Sequence, residues 1–167
     1  MKIRPLEERD LPMRVAWMNN PKVHSSMHFD LPVLLDNTIA WYNRNLTRTD
    51  RADMVFTDND GNLVAMGGLT GITADTRKAE LYIFVSPEIQ SRGIGTEATR
   101  LLCRYGFEAL GLNKIFLHTN QTNLAAQRVY ERCGFTLEGR LRQEAATADG
   151  ELQDRLYYGL LKNEFPQ

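Results

Sequence analysis

The sequence predicts an α+β fold in a single domain. A chain of 167 residues suits one domain built around one sizeable core. Strand-period and helix-period segments alternate in the order β-α-α-β-β-β-α-β-α-β-β, mixing a meander with strand–helix–strand units. No internal repeat, low-complexity tract or interior linker interrupts that order, so the domain is taken to span residues 1–167.

Each element has a local reason. Lys2-Ile3-Arg4 is a short strand candidate stopped by Pro5, and Asp10 stands where it can cap a helix whose second position is Pro12. Leu11, Val15 and Met18 mark that helix's apolar face, and Asn19-Asn20-Pro21 ends it. The segment from Lys22 to Pro32 reads as irregular, with His24 and His28 in it, and Leu35, Ile39, Tyr42 and Leu46 recur at helical spacing after it. Met54–Thr57 and Leu63–Leu69 read as a hairpin about Asp58-Asn59-Asp60-Gly61, and Ala79–Val85 adds a third strand. A helix opens at Ile94, with Ala98, Leu101, Leu102, Tyr105 and Ala109 on one face, and Gly111 closes it. Lys114–Thr119 is a strand, Asn123–Cys133 a helix stopped by Gly134, and Phe135–Glu144 and Glu151–Leu160 are strands about a polar turn.

Composition excludes several classes. A net charge of −1 gives no basic field for nucleic acid or anionic membrane. Cys103 and Cys133 form no disulfide framework and no CxxC pair; both fall in predicted helices and read as buried thiols, which favours a reducing compartment. No apolar run is long enough to span a bilayer and the start lacks a signal-peptide core, so a cytoplasmic location is expected. No His/Cys ligand cluster points to a metal, and no Ser-His-Asp spacing points to a covalent nucleophile.

The most informative stretch is Gln90-Ser91-Arg92-Gly93-Ile94-Gly95-Thr96, a glycine-bearing loop from a strand into a helix. A helix's first turn leaves backbone N–H groups unpaired at the positive end of its dipole, and glycines let an anion approach them. An ordinary strand-to-helix turn fits the same residues. Gly95 is followed by Thr96-Glu97, so the Gly-Lys-Ser/Thr ending of an NTPase loop is absent, and Glu97 stands where a dinucleotide fingerprint needs its third glycine. The pattern Gln-x-x-Gly-x-Gly resembles the pyrophosphate-binding loop of the GCN5-related N-acetyltransferases, which use acetyl-CoA. A second stretch, Asn123 to Phe135, is similar to the later helix of that family, with Asn123 opening it, Tyr130 two turns on and Gly134-Phe135 ending it. Trp17-Met18-Asn19-Asn20-Pro21-Lys22-Val23 and Ile39-Ala40-Trp41-Tyr42 resemble the subgroup that acetylates ribosomal-protein N-termini, polyamines and nucleotide-linked amino sugars, with a lean to the last.

The resemblance implies a mixed, mostly antiparallel twisted sheet flanked by helices, acetyl-CoA as co-substrate and no metal. Ile83 and Val85 would lend backbone amides to the pantetheine arm, Gln90, Ser91, Arg92, Gly93, Ile94, Gly95 and Thr96 would hold the pyrophosphate, and Asn123 would reach the same ligand. Tyr130 would protonate the leaving thiolate. Glu80 is the candidate base, with His118 or a water relay as alternatives. The expected acceptor is a small-molecule amine such as an amino sugar or polyamine, or else a protein N-terminus; a non-catalytic acyl-CoA-binding domain is the third option, and the subgroup implies a possible homodimer. An alkyl ammonium has a pKa of about 10.4, so whichever amine it is must lose a proton before it attacks.

Overall fold

The computed structural model describes residues 1–28, 30–89, 92–147 and 149–166. Its strands are β1 (Lys2–Pro5), β2 (Arg51–Thr57), β3 (Leu63–Thr73), β4 (Lys78–Val85), β5 (Lys114–Asn120), β6 (Thr136–Ala146) and β7 (Leu152–Leu161). Its α-helices are α1 (Leu11–Met18), α2 (Pro21–His24), α3 (Leu35–Asn45), α4 (Ile94–Arg104) and α5 (Leu124–Arg132). The strands form one sheet in the order β1-β2-β3-β4-β5-β7-β6, antiparallel throughout except for the parallel neighbours β4 and β5. The mixed, mostly antiparallel sheet expected from the sequence is therefore present.

Period-two alternation sorts the side chains between two cores. On one face Leu69, Leu81, Ile115, Leu117, Tyr158 and Leu160 pack against Ala98, Leu102, Cys103 and Phe107 of the α4 region and Tyr130 and Cys133 of the α5 region. On the other, Val55, Met66 and Phe84 pack against Leu11 and Trp17 of α1 and Ile39, Trp41 and Tyr42 of α3. Gly106 lets the end of the α4 segment lie flush on the sheet: a Cβ there would sit 2.8 Å from Leu69 Cδ1 and 2.9 Å from Ile115 Cδ1.

Local chemistry departs from the sequence reading in four places. Asp10 does not cap α1; its carboxylate accepts the Glu7 N–H at 2.9 Å and takes Arg4 in a fork at 2.7 and 2.8 Å. The face α1 buries runs through Leu11, Arg14 and Trp17 in place of Leu11, Val15 and Met18, a step of three that places a guanidinium inside. The segment after Asn20 opens with a helical turn, α2, because the Asn20 side chain accepts the Lys22 N–H at 3.0 Å and Pro21 starts it without a donor to satisfy. Residues Tyr105–Ala109 form a wider π-type turn that brings Gly106 and Phe107 to the core and leaves Ala109 exposed. Gly111, at φ +65°, follows it as the expected stop.

The Asp10–Arg4 fork ties the entry of α1 to β1. Burial pushes the Asp10 carboxyl up, but the Arg4 guanidinium and the Glu7 N–H outweigh it and hold the group below the usual carboxylate range. A depressed carboxyl contributes stability above its unfolded pKa of about 3.9, and the contribution disappears as pH falls through the lower folded value. Asp10→Ala is expected to lower the unfolding free energy by about 2–3 kcal/mol at pH 7. Urea titrations should show that deficit shrinking below about pH 4.

Candidate active site

The parallel strands β4 and β5 pair only at Lys78–Lys114, Ala79–Ile115 and Glu80–Phe116. Beyond those pairs β4 stays with β3 as far as Ala65–Val85, and β5 stays with β7 as far as Asn120–Arg155, so the sheet parts between them. The alternation of an antiparallel ladder says which groups line the gap. Ser86 donates its N–H to the Val64 carbonyl at 3.0 Å, so Phe84 and Tyr82 also turn their backbone groups to β3. Leu81, Ile83 and Val85 turn theirs the other way, into the gap. Both amides picked out in the sequence, Ile83 and Val85, lie there, with Leu81 beside them.

The glycine loop closes one end of this gap. Gly93 caps α4 at φ +78°, and the first helical bond runs from Glu97 N–H to the Gly93 carbonyl at 3.1 Å. The amides of Ile94, Gly95 and Thr96 precede that bond, at the positive end of an eleven-residue helix. A Cβ on Gly95 would stand 3.6 Å from Val85 of β4 and 3.7 Å from Val129 of α5, so strand, loop and both helices meet there. Arg92 is exposed beside the loop. Gln90 and Ser91 lie outside the described residues. Asn123 caps α5, its Oδ1 accepting the Ala126 N–H at 3.1 Å, which leaves the amide nitrogen for a ligand.

Tyr130 approaches from the α4–α5 side. It is 9% exposed, with the rings of Phe135 and Tyr158 at 5.9 and 6.3 Å, and burial, aided by Cys133, pushes its phenol up to about 12. Glu80 and His118 stand on the opposite face, and the structure joins these two alternatives: His118 Nδ1 lies 2.7 Å from Glu80 Oε1. The imidazole is held edge-on to Phe116 and Tyr157, at 5.9 and 5.0 Å. Glu80 is partly exposed and lies at the last paired position, where the gap begins.

Further along that face stands a wall that motif reading missed. Tyr82 donates its hydroxyl to Asp53 at 2.5 Å, and Arg51 forks onto the same carboxylate at 2.7 and 2.8 Å. Burial pushes the Tyr82 phenol up to about 12, with Arg14 opposing and Asp53 reinforcing the shift. Arg14, buried, lies 4.8 Å from the Trp41 ring centroid, 5.6 Å from Tyr82 and 5.4 Å from Phe84. His28 Nε2 meets Asn120 Oδ1 at 3.2 Å, bringing the segment after α2 to the open end of β5; His24 stays on α2. The one available signal was Arg14 itself, a charge midway between the apolar Leu11 and Trp17 at three-residue spacing.

A sheet that parts between parallel neighbours, with unladdered amides on one lip and a glycine-capped helix at its end, offers an extended, anion-bearing ligand both backbone partners and a positive helix end. The comparisons agree: residues 1–136 match the model of the acetyltransferase (GNAT) domain. The chain belongs to the GNAT acetyltransferase family and is an N-acetyltransferase. It is 32% identical over 160 residues to a spermidine N(1)-acetyltransferase of Vibrio cholerae, covering 94% of this chain and 91% of that one. A crystal structure of spermidine N-acetyltransferase from Vibrio cholerae in complex with CoA and spermine superposes with a TM-score of 0.92 at 30% identity, over 98% of this chain and 96% of the other. A putative ribosomal N-acetyltransferase of Bacillus subtilis, YdaF, is 37% identical over 106 residues, 64% of this chain and 57% of its own.

Gly68 sets the Tyr82 wall in place, since a Cβ there would lie 2.6 Å from the Ala52 carbonyl and 2.7 Å from the Tyr82 ring. Gly68→Ala is expected to cost about 1–3 kcal/mol in denaturant unfolding, through strain in a packed site. Gly61→Ala, in an exposed turn with no atom near, should lose less, chiefly from its φ of +90°.

Proposed function

We propose that this chain transfers the acetyl group of acetyl-CoA directly to the primary amine of a small molecule held at the same time. The observation that carries the reading is the parted β4–β5 edge with the backbone groups of Leu81, Ile83 and Val85 turned into it. An extended pantetheine arm is a substitute strand of the right length and polarity for those groups. The α4 amides of Ile94, Gly95 and Thr96, with Arg92 and the loop residues Gln90 and Ser91, would receive its pyrophosphate, and the Asn123 amide would reach it from α5.

The balance of the step assigns the side chains. Glu80, through His118 or a bound water, takes the proton that frees the amine lone pair. The nitrogen then forms a bond to the carbonyl carbon while an exposed β4 amide stabilises the oxyanion, and the carbon–sulfur bond breaks as the sulfur takes the electron pair. Tyr130 gives its proton to the departing thiolate, and the second proton that the nitrogen loses as the amide forms restores the phenol through water. A phenol held near 12 is neutral below that value, so Tyr130 keeps a proton to give across the working range. The named relatives make polyamines the first acceptors to try. The ribosomal relative covers less of the chain and supports N-terminal peptides as a second class.

The deciding assay is acetyl-CoA-dependent thiol release with spermidine, spermine, amino sugars and Ala- or Ser-terminal peptides; no release with any of them sinks the reading. Tyr130→Phe is expected to lower kcat about a hundredfold or more with little change in acetyl-CoA affinity, and an unchanged turnover would remove Tyr130 from the chemistry. Gly95→Phe should abolish acetyl-CoA binding in calorimetry while leaving the fold intact, because a Cβ there meets Val85 and Val129 only at ordinary contact distance and a ring would compete with the ligand for the loop amides.

A further inference from the structure

Three buried side-chain polar atoms among the described residues have no hydrogen-bond partner. One, Thr99 Oγ1, is inside α4, and the other two are guanidinium nitrogens, Arg14 Nη1 and Arg155 Nε. Both arginines belong to the Glu80–His118 face of the sheet. Arg14 stacks on Tyr82 and Phe84, which share that face with Glu80; Arg155 lies opposite Asn120 on β7 and two residues from Tyr157, which touches His118.

Arg14 is 7% exposed, and no described carboxylate lies within ion-pair distance of it. The nearby acid, Asp53, is already engaged by Arg51 and by the Tyr82 hydroxyl. Arg14 and Arg51 both sit on Trp41, at 4.8 and 5.0 Å, so this wall holds two guanidinium charges against one carboxylate. The rings offer cation–π contact, which satisfies the flat of the guanidinium, while the buried Nη1 has no hydrogen-bond partner. A desolvated guanidinium with a free edge is the partner of choice for a carboxylate or phosphate. It is a poor neighbour for the ammonium groups of a linear polyamine.

We infer that the acceptor amine carries an anionic group, a carboxylate or a phosphate, and that Arg14 receives it while the amine lies at Glu80 and His118. This rests on the transfer reading above and narrows its substrate class. Tyr82 stands two residues along β4 from Glu80, so amine and anion would be separated by roughly 7 Å or somewhat more.

Matched amines test it. Thiol release should be compared between a hexosamine and its 6-phosphate, and between 1,5-diaminopentane and lysine, with spermidine alongside. The wild-type protein is expected to favour the anionic member of at least one pair by about tenfold or more in kcat/KM, and the pair that responds identifies phosphate or carboxylate. In Arg14→Met that preference ratio should fall by about tenfold, and Arg14→Lys, which keeps the charge and loses the fork, should give an intermediate ratio and serves where the methionine variant does not fold. A wild-type preference for spermidine over both anionic amines, or a ratio unchanged in the folded Arg14 variants, overturns the inference. An independent arm titrates inorganic phosphate and acetate into CoA-saturated protein, where the glycine loop is occupied. Anion binding that Arg14→Met removes supports the site even if no amine is turned over, in which case the transfer reading alone fails. Absence of Arg14-dependent anion binding overturns the inference whatever the turnover.

Discussion

The parting of β4 from β5 after Glu80 and Phe116 is the constraint to which the rest of the molecule is fitted. Parallel neighbours ordinarily continue pairing, because each unladdered amide or carbonyl must find another partner. Here the two strands part from each other while β4 remains bonded to β3 through Val85 and β5 to β7 through Asn120. Gly95 of α4 lies beside Val85 at the end of β4, where a Cβ on it would stand 3.6 Å away. The gap is thus a property of the sheet, present before any ligand arrives, and its polar lip is ready for an extended chain.

A parted sheet also opens onto both faces, which is what direct transfer between two bound molecules needs. The α4–α5 face supplies a phenol that burial keeps protonated, Tyr130. The opposite face carries the hydrogen-bonded Glu80–His118 pair, its imidazole held edge-on to Phe116 and Tyr157. In the proposed transfer the plane of the sheet would keep proton acceptor and proton donor apart, so that each meets only its own end of the reaction. The alternation of side chains along β4 and β5 enforces this separation, with Leu81 and Leu117 turned to one core and Glu80 and His118 turned away from it.

The sequence order of elements and the sheet's mixed character were legible because they depend on short local patterns. Strand and helix periods differ, glycines at positive φ punctuate them, and Asn123 shows its capping role by position alone. What was not legible has a common cause. Arg14 was hidden because a step of three and a step of four look alike over two turns of helix, and tertiary contact with Trp41 and Phe84 chose the step of three. Asp10 was misassigned because a carboxylate before a helix can serve either the helix or the preceding turn, and Arg4 on β1 decided for the turn. The pairing of Glu80 with His118 required knowing which strands are neighbours, and their separation of 38 residues carries no periodic signal.

The same distinction explains why one substrate can be read from the chain and the other only from the structure. The donor side, as proposed, would be built from backbone groups and from glycines that expose them, so its features sit in two continuous stretches of sequence, 90–96 and 123–135. The proposed acceptor side would be built from side chains delivered by α1, α3, β2, β4, β5 and β7, which are scattered along the sequence. Only packing shows that Asp53 is engaged by Arg51 and Tyr82 while Arg14 lies against aromatic rings with its Nη1 unpartnered among the described residues. A shared sheet and loop can thus serve one donor while the side chains of the other face set the choice of amine.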